Sequence, residues 1–293
     1  MDQDINLWYE SAMDQPSAHR YFDTSSGKLH ALEWGSGQKH LVILVHGALA
    51  HGHCWDFVAP FLVDDERRVL AIDLSGMGDS DWCDQYSYER HVENILDVYR
   101  LNHGYETVTL IGHSYGGIVT LLAFHQLINN HHSVRLIMVD VFLSQLNVKP
   151  SKSISIPTRP IRYYQDYETA SKRFRLIPKQ PVSHPQLLNH LAYHSLRQTP
   201  EGWCWKFDPK LYGMINANHA SGRPNILKDI KPQAEDIYFI YGEYTSPSLI
   251  KMAHQVMQDL GVPQHLFVID QAYHHVMLDH PLSLTDVIQK ILL

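Results

Sequence analysis

The sequence predicts an α/β fold with a mostly parallel central sheet flanked by helices. Two observations support this prediction. Apolar runs of strand length alternate with stretches of helical periodicity over residues 40–141, and the alternation resumes over residues 236–293. The first of these runs, residues 40–46, is apolar throughout its interior, as is typical of a strand buried on both faces. Strands that alternate with helices in this way imply right-handed crossovers and parallel pairing.

The elements of this fold follow one another in chain order. Residues 1–18 are a polar lead-in with a short helix, and residues 20–23 and 28–34 are expected to pair as a hairpin across Ser25-Ser26-Gly27. The helix at 88–102 is amphipathic, with its apolar side chains on one side. The predicted strands of the main sheet are residues 40–46, 68–73, 107–110, 134–141, 236–242 and 265–270. The predicted helices beside them are residues 55–62, 88–102, 118–127, 247–260 and 282–293.

The alternation breaks between residue 144 and about residue 223. This stretch has no clean strand pattern, its prolines recur, and short helical patches occur near residues 167–175 and 185–196. Because it is too long for a plain loop, we predict an inserted helical cap, or lid, at residues 144–223. Residues 1–143 and 224–293 then form the core.

Composition excludes several functional classes. The net charge of −7 leaves no basic face for nucleic acid or anionic lipid. Three cysteines without CxxC spacing argue against a disulfide framework or a zinc site. Residues 1–16 lack the basic and apolar regions of a signal peptide, and the best apolar run, residues 41–45, is too short to span a bilayer. We therefore expect a soluble, cytoplasmic protein.

The segment Gly112-His113-Ser114-Tyr115-Gly116 lies between a predicted strand and a predicted helix. In a Gly-x-Ser-x-Gly turn the serine takes strained backbone angles, and the small flanking residues let the chains pass closely. The hydroxyl then projects from the sheet edge, and the helix N-terminus behind it favours developing negative charge. Ser114 is the candidate nucleophile, against the alternative of a glycine-rich turn with an incidental serine.

A serine nucleophile needs a base. His274 and His275 directly follow the last predicted strand, at the sheet edge that carries Ser114, which is where open α/β sheets hold ligands. Their spacing to Asp279 and Pro281 favours His274. The alternative is a pair of surface histidines in a chain that has 21 of them.

Several segments together resemble the α/β-hydrolase superfamily, in particular its bacterial cap-bearing, esterase-like branch. They occur in the family's order along the chain and are His46-Gly47-Ala48-Leu49, residues 73–80, residues 112–116, residues 203–209 in the cap and residues 274–281. The resemblance implies that Ser114 is the nucleophile and His274 the general base. It also implies an oxyanion hole formed by the backbone N–H groups of Ala48 and Tyr115, with Leu49 as the alternative to Ala48.

The chain departs from the family at the acid of the triad. Many members carry an aspartate three residues after the glycine that ends the strand at 236–242, and here Thr245 stands at that position. Some relatives carry the acid at the end of the strand after the nucleophile helix, where this chain has Asp140. A carboxylate among apolar neighbours needs a partner, and His274 would be one. Asp140 is therefore favoured, with Glu243 as its main rival and Asp270 as the third candidate.

The resemblance implies hydrolysis of a carboxylic ester or related acyl bond of a small molecule through an acyl-enzyme on Ser114, with no cofactor and no metal. The alternatives are a lactone, thioester or C–C bond hydrolase that uses the same triad, and a non-catalytic ligand receptor. The sequence leaves open whether the protein is a monomer or a homodimer.

Four further histidines are potential metal ligands, but for each of them a role without a metal is favoured. For His51 and His53, no nearby carboxylate or thiolate pattern completes a zinc site, so a pocket-wall or structural role is favoured. His190 and His194 are one helical turn apart, and we expect them on a solvated helix face.

Overall fold

We describe a computed structural model of the chain, covering residues 2–129, 133–143, 160–182, 184–216 and 226–293. Its strands are β1 (Ala18–Thr24), β2 (Gly27–Trp34), β3 (His40–Val45), β4 (Arg67–Ile72), β5 (Thr107–His113), β6 (Val134–Val139), β7 (Leu196–Thr199), β8 (Gly202–Trp205), β9 (Ile237–Gly242) and β10 (Leu266–Ile269). Its helices are α1 (Asp2–Met13), α2 (Tyr88–Leu101), α3 (Tyr115–Leu127), α4 (Tyr167–Ser171), α5 (Pro185–His194), α6 (Leu211–Asn216), α7 (Ile226–Ile230), α8 (Pro247–Leu260), α9 (Val276–Asp279) and α10 (Pro281–Leu292).

Eight strands form one sheet in the order β1-β2-β4-β3-β5-β6-β9-β10. Strands β1 and β2 pair antiparallel as a hairpin, and β2 pairs antiparallel with β4. The other pairs of the sheet are parallel. The prediction of an α/β fold with a mostly parallel sheet is therefore confirmed, and the carboxyl ends of β5, β6, β9 and β10 lie at one edge.

A hydrophobic core lies on each face of the sheet. Apolar side chains of α2, α3 and α8 pack in one core, and those of α10 and the segment between β3 and β4 pack in the other. Strand β3 contributes to both cores, because Ile43 belongs to one and Leu44 to the other. This explains why residues 41–45 are apolar at every position. No helix in the described part of the chain has the length and apolar character needed to cross a bilayer.

Local sequence signals set several helix ends. The Ser87 side chain accepts a hydrogen bond from the Arg90 backbone N–H at the start of α2, and Ser246 does the same for Leu249 at the start of α8. Helix α8 ends at Gly261, which takes a left-handed φ of 88° that favours glycine.

One predicted helix differs from the structure. The predicted helix at 55–62 is instead a pair of 3₁₀ turns, Gly52–Trp55 and Ala59–Leu62. The residues at 55–62 are nearly all buried, so packing rather than amphipathic periodicity fixes their conformation. The last helix, predicted at 282–293, is present as α10, which starts with Pro281 in its first turn; a short helix that was not predicted, α9, precedes it.

The cap segment, by which we mean the described residues 160–182 and 184–216, lies between β6 and α7 along the chain. It contains α4, α5 and α6, near two of the predicted helical patches, but also the antiparallel hairpin β7–β8. The expectation of a helical cap without strands is therefore wrong at this hairpin. Both strands have only four residues, too few to give a clear alternating pattern. The predicted cap boundaries at residues 144 and 223 lie outside the described residues.

Candidate active site

Ser114 occupies a strained turn between β5 and α3. Its φ of 51° and ψ of −116° are unusual for a residue with a side chain. A Cβ added at Gly112 would lie 2.4 Å from Thr120 Oγ1, and one added at Gly116 would lie 2.3 Å from the His46 carbonyl oxygen. Both flanking glycines are therefore needed for the strand, the helix and the neighbouring β3 segment to pack this closely.

His274 bridges Ser114 and a buried carboxylate. Its Nδ1 lies 2.6 Å from Asp140 Oδ1, and its Nε2 lies 3.0 Å from Ser114 Oγ. Because Asp140 is a carboxylate, the Nδ1–H donates to it, and Nε2 is left to accept the hydrogen of the Ser114 hydroxyl. This is the connectivity that activates a serine nucleophile.

Asp140 follows β6 and is fully buried, in a left-handed backbone conformation with φ of 50°. Besides His274, its oxygens accept hydrogen bonds from the Gly242 backbone N–H at 2.9 Å and the Thr245 hydroxyl at 2.7 Å. The threonine at the position where many family members carry the acid thus donates to the carboxylate that contacts His274. Sequence reasoning missed this partnership, because nothing in the chain around Thr245 indicates what its hydroxyl contacts.

The two rival acids lie elsewhere. Glu243 is exposed, and its Oε2 accepts a hydrogen bond from the Gln271 backbone N–H at 2.8 Å. Asp270 is also exposed. Of the three candidates, Asp140 is the one whose carboxylate contacts the His274 ring.

Asp279 and Gln180 hold the loop that carries His274. Asp279 accepts hydrogen bonds from the Tyr273 backbone N–H and from the Gln180 amide, each at 2.8 Å. The side-chain oxygen Oε1 of Gln180 accepts a hydrogen bond from the His275 backbone N–H, so this cap residue contacts both Asp279 and the backbone next to His274. Burial raises the pKa of Asp279 to about 6, although both of its donors favour the charged form. The sequence offered no signal for Gln180, which lies in a proline-rich stretch without periodicity.

His113 also supports the loop that carries His274. Its Nε2 lies 3.0 Å from the His274 carbonyl oxygen, to which it donates a hydrogen bond. Burial holds the pKa of His113 well below its ordinary value, and the neighbouring histidines lower it further. A neutral imidazole here avoids a second positive charge beside the His274 ring.

The predicted oxyanion residues belong to two segments that meet at Ser114. Ala48 follows Gly47 after β3, and a Cβ added at Gly47 would lie 3.6 Å from the Ser114 Cβ. Tyr115 begins α3, so its backbone N–H belongs to the first turn of that helix. His46 braces the Ala48 segment, because its Nδ1 donates to the Gly47 carbonyl at 2.7 Å and its Nε2 accepts the Leu74 N–H at 3.2 Å.

A cavity of about 360 Å³ opens above Ser114, between the core and the cap segment. The core contributes residues 47–51 and Met277, and the cap contributes Phe174, Leu176, Trp205 and Phe207. The lining has more apolar than polar surface, but the cap also contributes three basic side chains, those of Arg173, Arg175 and Lys206. Trp203 is not part of this lining and instead packs against Tyr167, with 5.4 Å between ring centroids.

A second serine–histidine contact lies on the cavity wall. His51 Nε2 donates to Ser195 Oγ at 2.8 Å, but the Ser195 hydroxyl in turn donates to the Leu191 carbonyl at 2.7 Å. In the described part of the chain, His51 Nδ1 has no carboxylate partner. This pair therefore lacks both a proton-accepting nitrogen at the serine and an orienting acid.

His190 and His194 do not lie on a solvated helix face, so that expectation is wrong. His190 Nε2 lies 2.7 Å from Asp56 Oδ2, and the His194 ring stacks on His53 with 3.5 Å between centroids. Helix α5 is docked on the core at this point, which the helical spacing alone did not reveal.

Comparison with known proteins gives one family and several partial relatives. A sequence model described as the alpha/beta hydrolase family matches residues 42–286. A serine hydrolase-like protein of Dictyostelium discoideum is 37% identical over 101 residues, which are 32% of this chain and 27% of that protein. Methylesterase 8 of Arabidopsis thaliana is 35% identical over 92 residues, 29% of this chain and 32% of that protein. The matches thus span about a third of these two curated relatives.

Among solved structures, the thioesterase domain from the curacin biosynthetic pathway superposes with a TM-score of 0.74. Its sequence is 20% identical, and the alignment covers 94% of this chain and 99% of that domain. At this identity the likeness concerns the fold alone.

Proposed function

Because the chain belongs to the alpha/beta hydrolase family, we propose that it is a serine hydrolase that cleaves a carboxylic ester or related acyl bond of a small molecule. The observation that carries this proposal is the His274 ring, which contacts Ser114 Oγ through Nε2 and Asp140 Oδ1 through Nδ1. The same three side chains, in this connectivity, perform acyl transfer on several unrelated folds.

The reaction we propose has two halves. Ser114 Oγ attacks the substrate carbonyl while His274 Nε2 takes the hydroxyl proton, and Asp140 stabilises the imidazolium that forms. His274 then gives the proton to the leaving alcohol, which departs and leaves an acyl group on Ser114. In the second half, His274 takes a proton from water, the resulting hydroxide attacks the acyl group, and the proton returns to Ser114 as the acid leaves.

The developing oxyanion needs hydrogen-bond donors placed before the reaction begins. We assign this role to the backbone N–H groups of Ala48 and Tyr115. The positions of Gly47 beside Ser114 and of Tyr115 at the N-terminus of α3 support the assignment. The helix N-terminus adds a partial positive charge on the same side.

The cavity supports a compact substrate with an apolar acyl or alcohol group. Its volume of about 360 Å³ is at the small end of the range for small-molecule sites. The methylesterases among the relatives make small methyl esters the first substrates to test, and thioesters and lactones belong in the same panel.

The experiment that tests the proposal is intact-mass analysis after treatment with a fluorophosphonate probe. We expect one adduct on the wild-type protein and none on Ser114→Ala. Ser195→Ala is the matched control, because it removes the other cavity serine that contacts a histidine, and it should label as wild type does.

The substrate panel is measured on untreated wild-type protein and on untreated Ser114→Ala. Turnover of carboxylic esters that is lost in Ser114→Ala supports an esterase, and a strong preference for thioesters or lactones would narrow the reaction class. Absence of both an adduct and turnover, with tight binding of a small molecule, would contradict the proposal and favour a receptor.

A further inference from the structure

A cluster of three histidines and one aspartate joins the cap segment to the core, away from Ser114. His53 and Asp56 lie in and next to the 3₁₀ turn that follows β3, and His190 and His194 lie on α5. One ligand-type atom from each of these four residues, here called the histidine cluster, lies within 4.8 Å of every other. Two core groups and two cap groups thus converge on one small volume.

Asp56 is the centre of this arrangement. It is 7% exposed, and its Oδ2 accepts hydrogen bonds from His53 Nδ1 at 2.8 Å and His190 Nε2 at 2.7 Å. Its Oδ1 is buried and has no hydrogen-bond partner among the described residues. A buried carboxylate oxygen without a donor is unfavourable, and a cation is one group that would satisfy it.

Metal binding would change the protonation of these side chains. His53 Nδ1 and His190 Nε2 donate their hydrogens to Asp56 Oδ2. An ion at this place would replace those hydrogens, because a ligating imidazole nitrogen must be unprotonated, and binding would therefore release protons or shift the rings to the other tautomer.

The geometry points to a metal site in which His53, Asp56, His190 and His194 bind one Zn²⁺ or a similar divalent transition-metal ion. Four nitrogen and oxygen ligands at about 2.0–2.1 Å from a tetrahedral ion are separated by about 3.4 Å. The hydrogen-bonded pairs of the cluster are closer than this, and all four atoms lie within 4.8 Å of one another. The His194 ring, which stacks on His53 with 3.5 Å between centroids, would have to rotate for the nitrogens of both rings to face one ion.

A second cluster, formed by His30, Asp73 and Asp79, differs from the histidine cluster because its buried aspartate has no unpaired oxygen. Asp73 already accepts hydrogen bonds from the backbone N–H groups of Gly52 and Asp79 and from His30 Nδ1, so both of its oxygens are satisfied. That cluster holds the loop after β4 without a metal, and we assign no ion to it.

Metal at the histidine cluster would fasten α5 of the cap to the core beside the cavity. His51, Cys54, Leu191 and Ser195, which line the cavity, are each within four residues of a ligand. The ion would therefore fix one wall of the cavity without touching Ser114 or His274, and its role is the fixing of this wall rather than chemistry.

The test uses the full-length protein after removal of metal with EDTA. Competition with a chromophoric chelator should show one Zn²⁺ bound per chain, and Zn²⁺ should raise the thermal unfolding midpoint, whereas Mg²⁺ should not. Co²⁺ should give the visible d–d bands of a tetrahedral complex, a readout that does not depend on enzyme activity.

Two variants make the test specific. His194→Gln removes a ligand that makes no hydrogen bond among the described residues, so it should leave the Asp56 hydrogen bonds intact while weakening Zn²⁺ binding about tenfold or more. Asp56→Asn keeps the shape of the side chain and should weaken binding by at least as much.

His103→Gln, at an exposed histidine after α2, is the matched control and should bind as wild type does. Failure of the wild-type protein to bind Zn²⁺ would overturn the proposal. So would equal affinities of the wild type, His194→Gln and Asp56→Asn, since the ion would then be held by other histidines.

Discussion

Asp140 is held where it contacts His274 by three donors from two segments, the end of β9 with the turn after it and the loop after β10. The His274 ring, the Gly242 backbone N–H and the Thr245 hydroxyl surround its two oxygens, and no part of the side chain is exposed. A carboxylate so enclosed is a rigid acceptor, which orients the imidazole better than a solvated one would. Its catalytic role stays a prediction, and it can be tested at this single position.

We expect Asp140→Asn to lower kcat by about 10³–10⁴-fold while the protein still folds. The asparagine fills the same space, but it cannot stabilise the imidazolium, and its amide can turn an N–H toward His274 and fix the wrong tautomer. Steady-state kinetics on an activated ester, with circular dichroism to check the fold, measures the effect. Glu243→Gln is the matched control and should change kcat little. The reverse pattern would show that Glu243 is the acid.

A second carboxyl group close to the site, that of Asp279, is expected to make the free energy of unfolding depend on pH. The pKa of Asp279 is raised from 3.8 to about 6, so the unfolded chain loses this proton at a lower pH than the folded protein does. Between these two values the folded state binds more protons, and its stability therefore falls as the pH rises. Relative to Asp279→Asn, the wild type should lose stability from about pH 4 to about pH 6 and change little on either side of that window.

Urea unfolding of the two proteins across this pH range checks the prediction. Asp286→Asn, which alters an exposed carboxylate on α10, is the control, and its midpoint should follow that of the wild type. A wild-type midpoint that stays parallel to that of Asp279→Asn throughout the window would contradict the assignment to Asp279.

The site residues that could be predicted from the sequence are those that form a motif with residues close to them along the chain. Ser114 is marked by the glycines two residues before and after it. His274 is marked by the strand that precedes it and by its spacing to Asp279. Asp140 could be named only from its position at a strand end, because its contacts come from residues about a hundred positions further along the chain. Thr245 and Gln180 gave no local signal. A hydroxyl or an amide takes its role from the partner that folding brings to it, and the linear chain does not show that partner.

At the scale of elements, the region around Ser114 depends on the close packing of helix α3 against the end of strand β3. A Cβ at Gly116 would lie 2.3 Å from the His46 carbonyl oxygen and 2.7 Å from that of Val45. Because these are backbone atoms, they cannot move aside as a flexible side chain would. The helix would have to shift away from β3 and the Ala48 segment that follows it.

We therefore expect Gly116→Ala to destabilise the protein by about 3 kcal/mol and to lower kcat in whatever fraction folds. Urea or thermal unfolding gives the first quantity and activity per folded molecule the second. Gly213→Ala in α6 is the matched control, since an added Cβ there meets no atom of the described residues within 4 Å. That change replaces a helical glycine and should be neutral or stabilising by up to about 1 kcal/mol. Equal effects of the two substitutions would contradict the close-packing argument.

Elements with a strong periodic pattern were predictable, and elements fixed by tertiary packing were not. The parallel strands are buried on both faces and therefore keep continuous apolar runs, such as residues 41–45. The 3₁₀ turns at Gly52–Trp55 and Ala59–Leu62 are also largely buried, yet their path is set by what they pack against. Hairpin β7–β8 is too short for its alternation to stand out.

At the scale of the whole molecule, the proposed catalytic residues and much of the cavity wall lie in different parts of the chain. Ser114, Asp140 and His274 all follow strands of the core sheet, whereas much of the apolar cavity wall comes from the cap segment. A change in the cap should therefore alter which ester is accepted while Ser114 remains reactive. Strand β8 offers a direct comparison, because Trp205 lines the cavity and Trp203, two residues earlier, does not.

We expect Trp205→Ala to shift the preference toward longer acyl chains. Removing the indole enlarges the cavity next to Phe174 and Phe207, so a short acyl group loses contacts that a longer one recovers. The ratio of kcat/KM for a long-chain ester to that for a short-chain ester should rise about tenfold or more, measured over a series of p-nitrophenyl esters. Fluorophosphonate labelling of Ser114 should persist.

Trp203→Ala is the matched control and should leave the ratio unchanged, since this ring packs against Tyr167 inside the cap. If both variants shift the ratio equally, the effect comes from loosening of the cap, and Trp205 does not select the acyl chain.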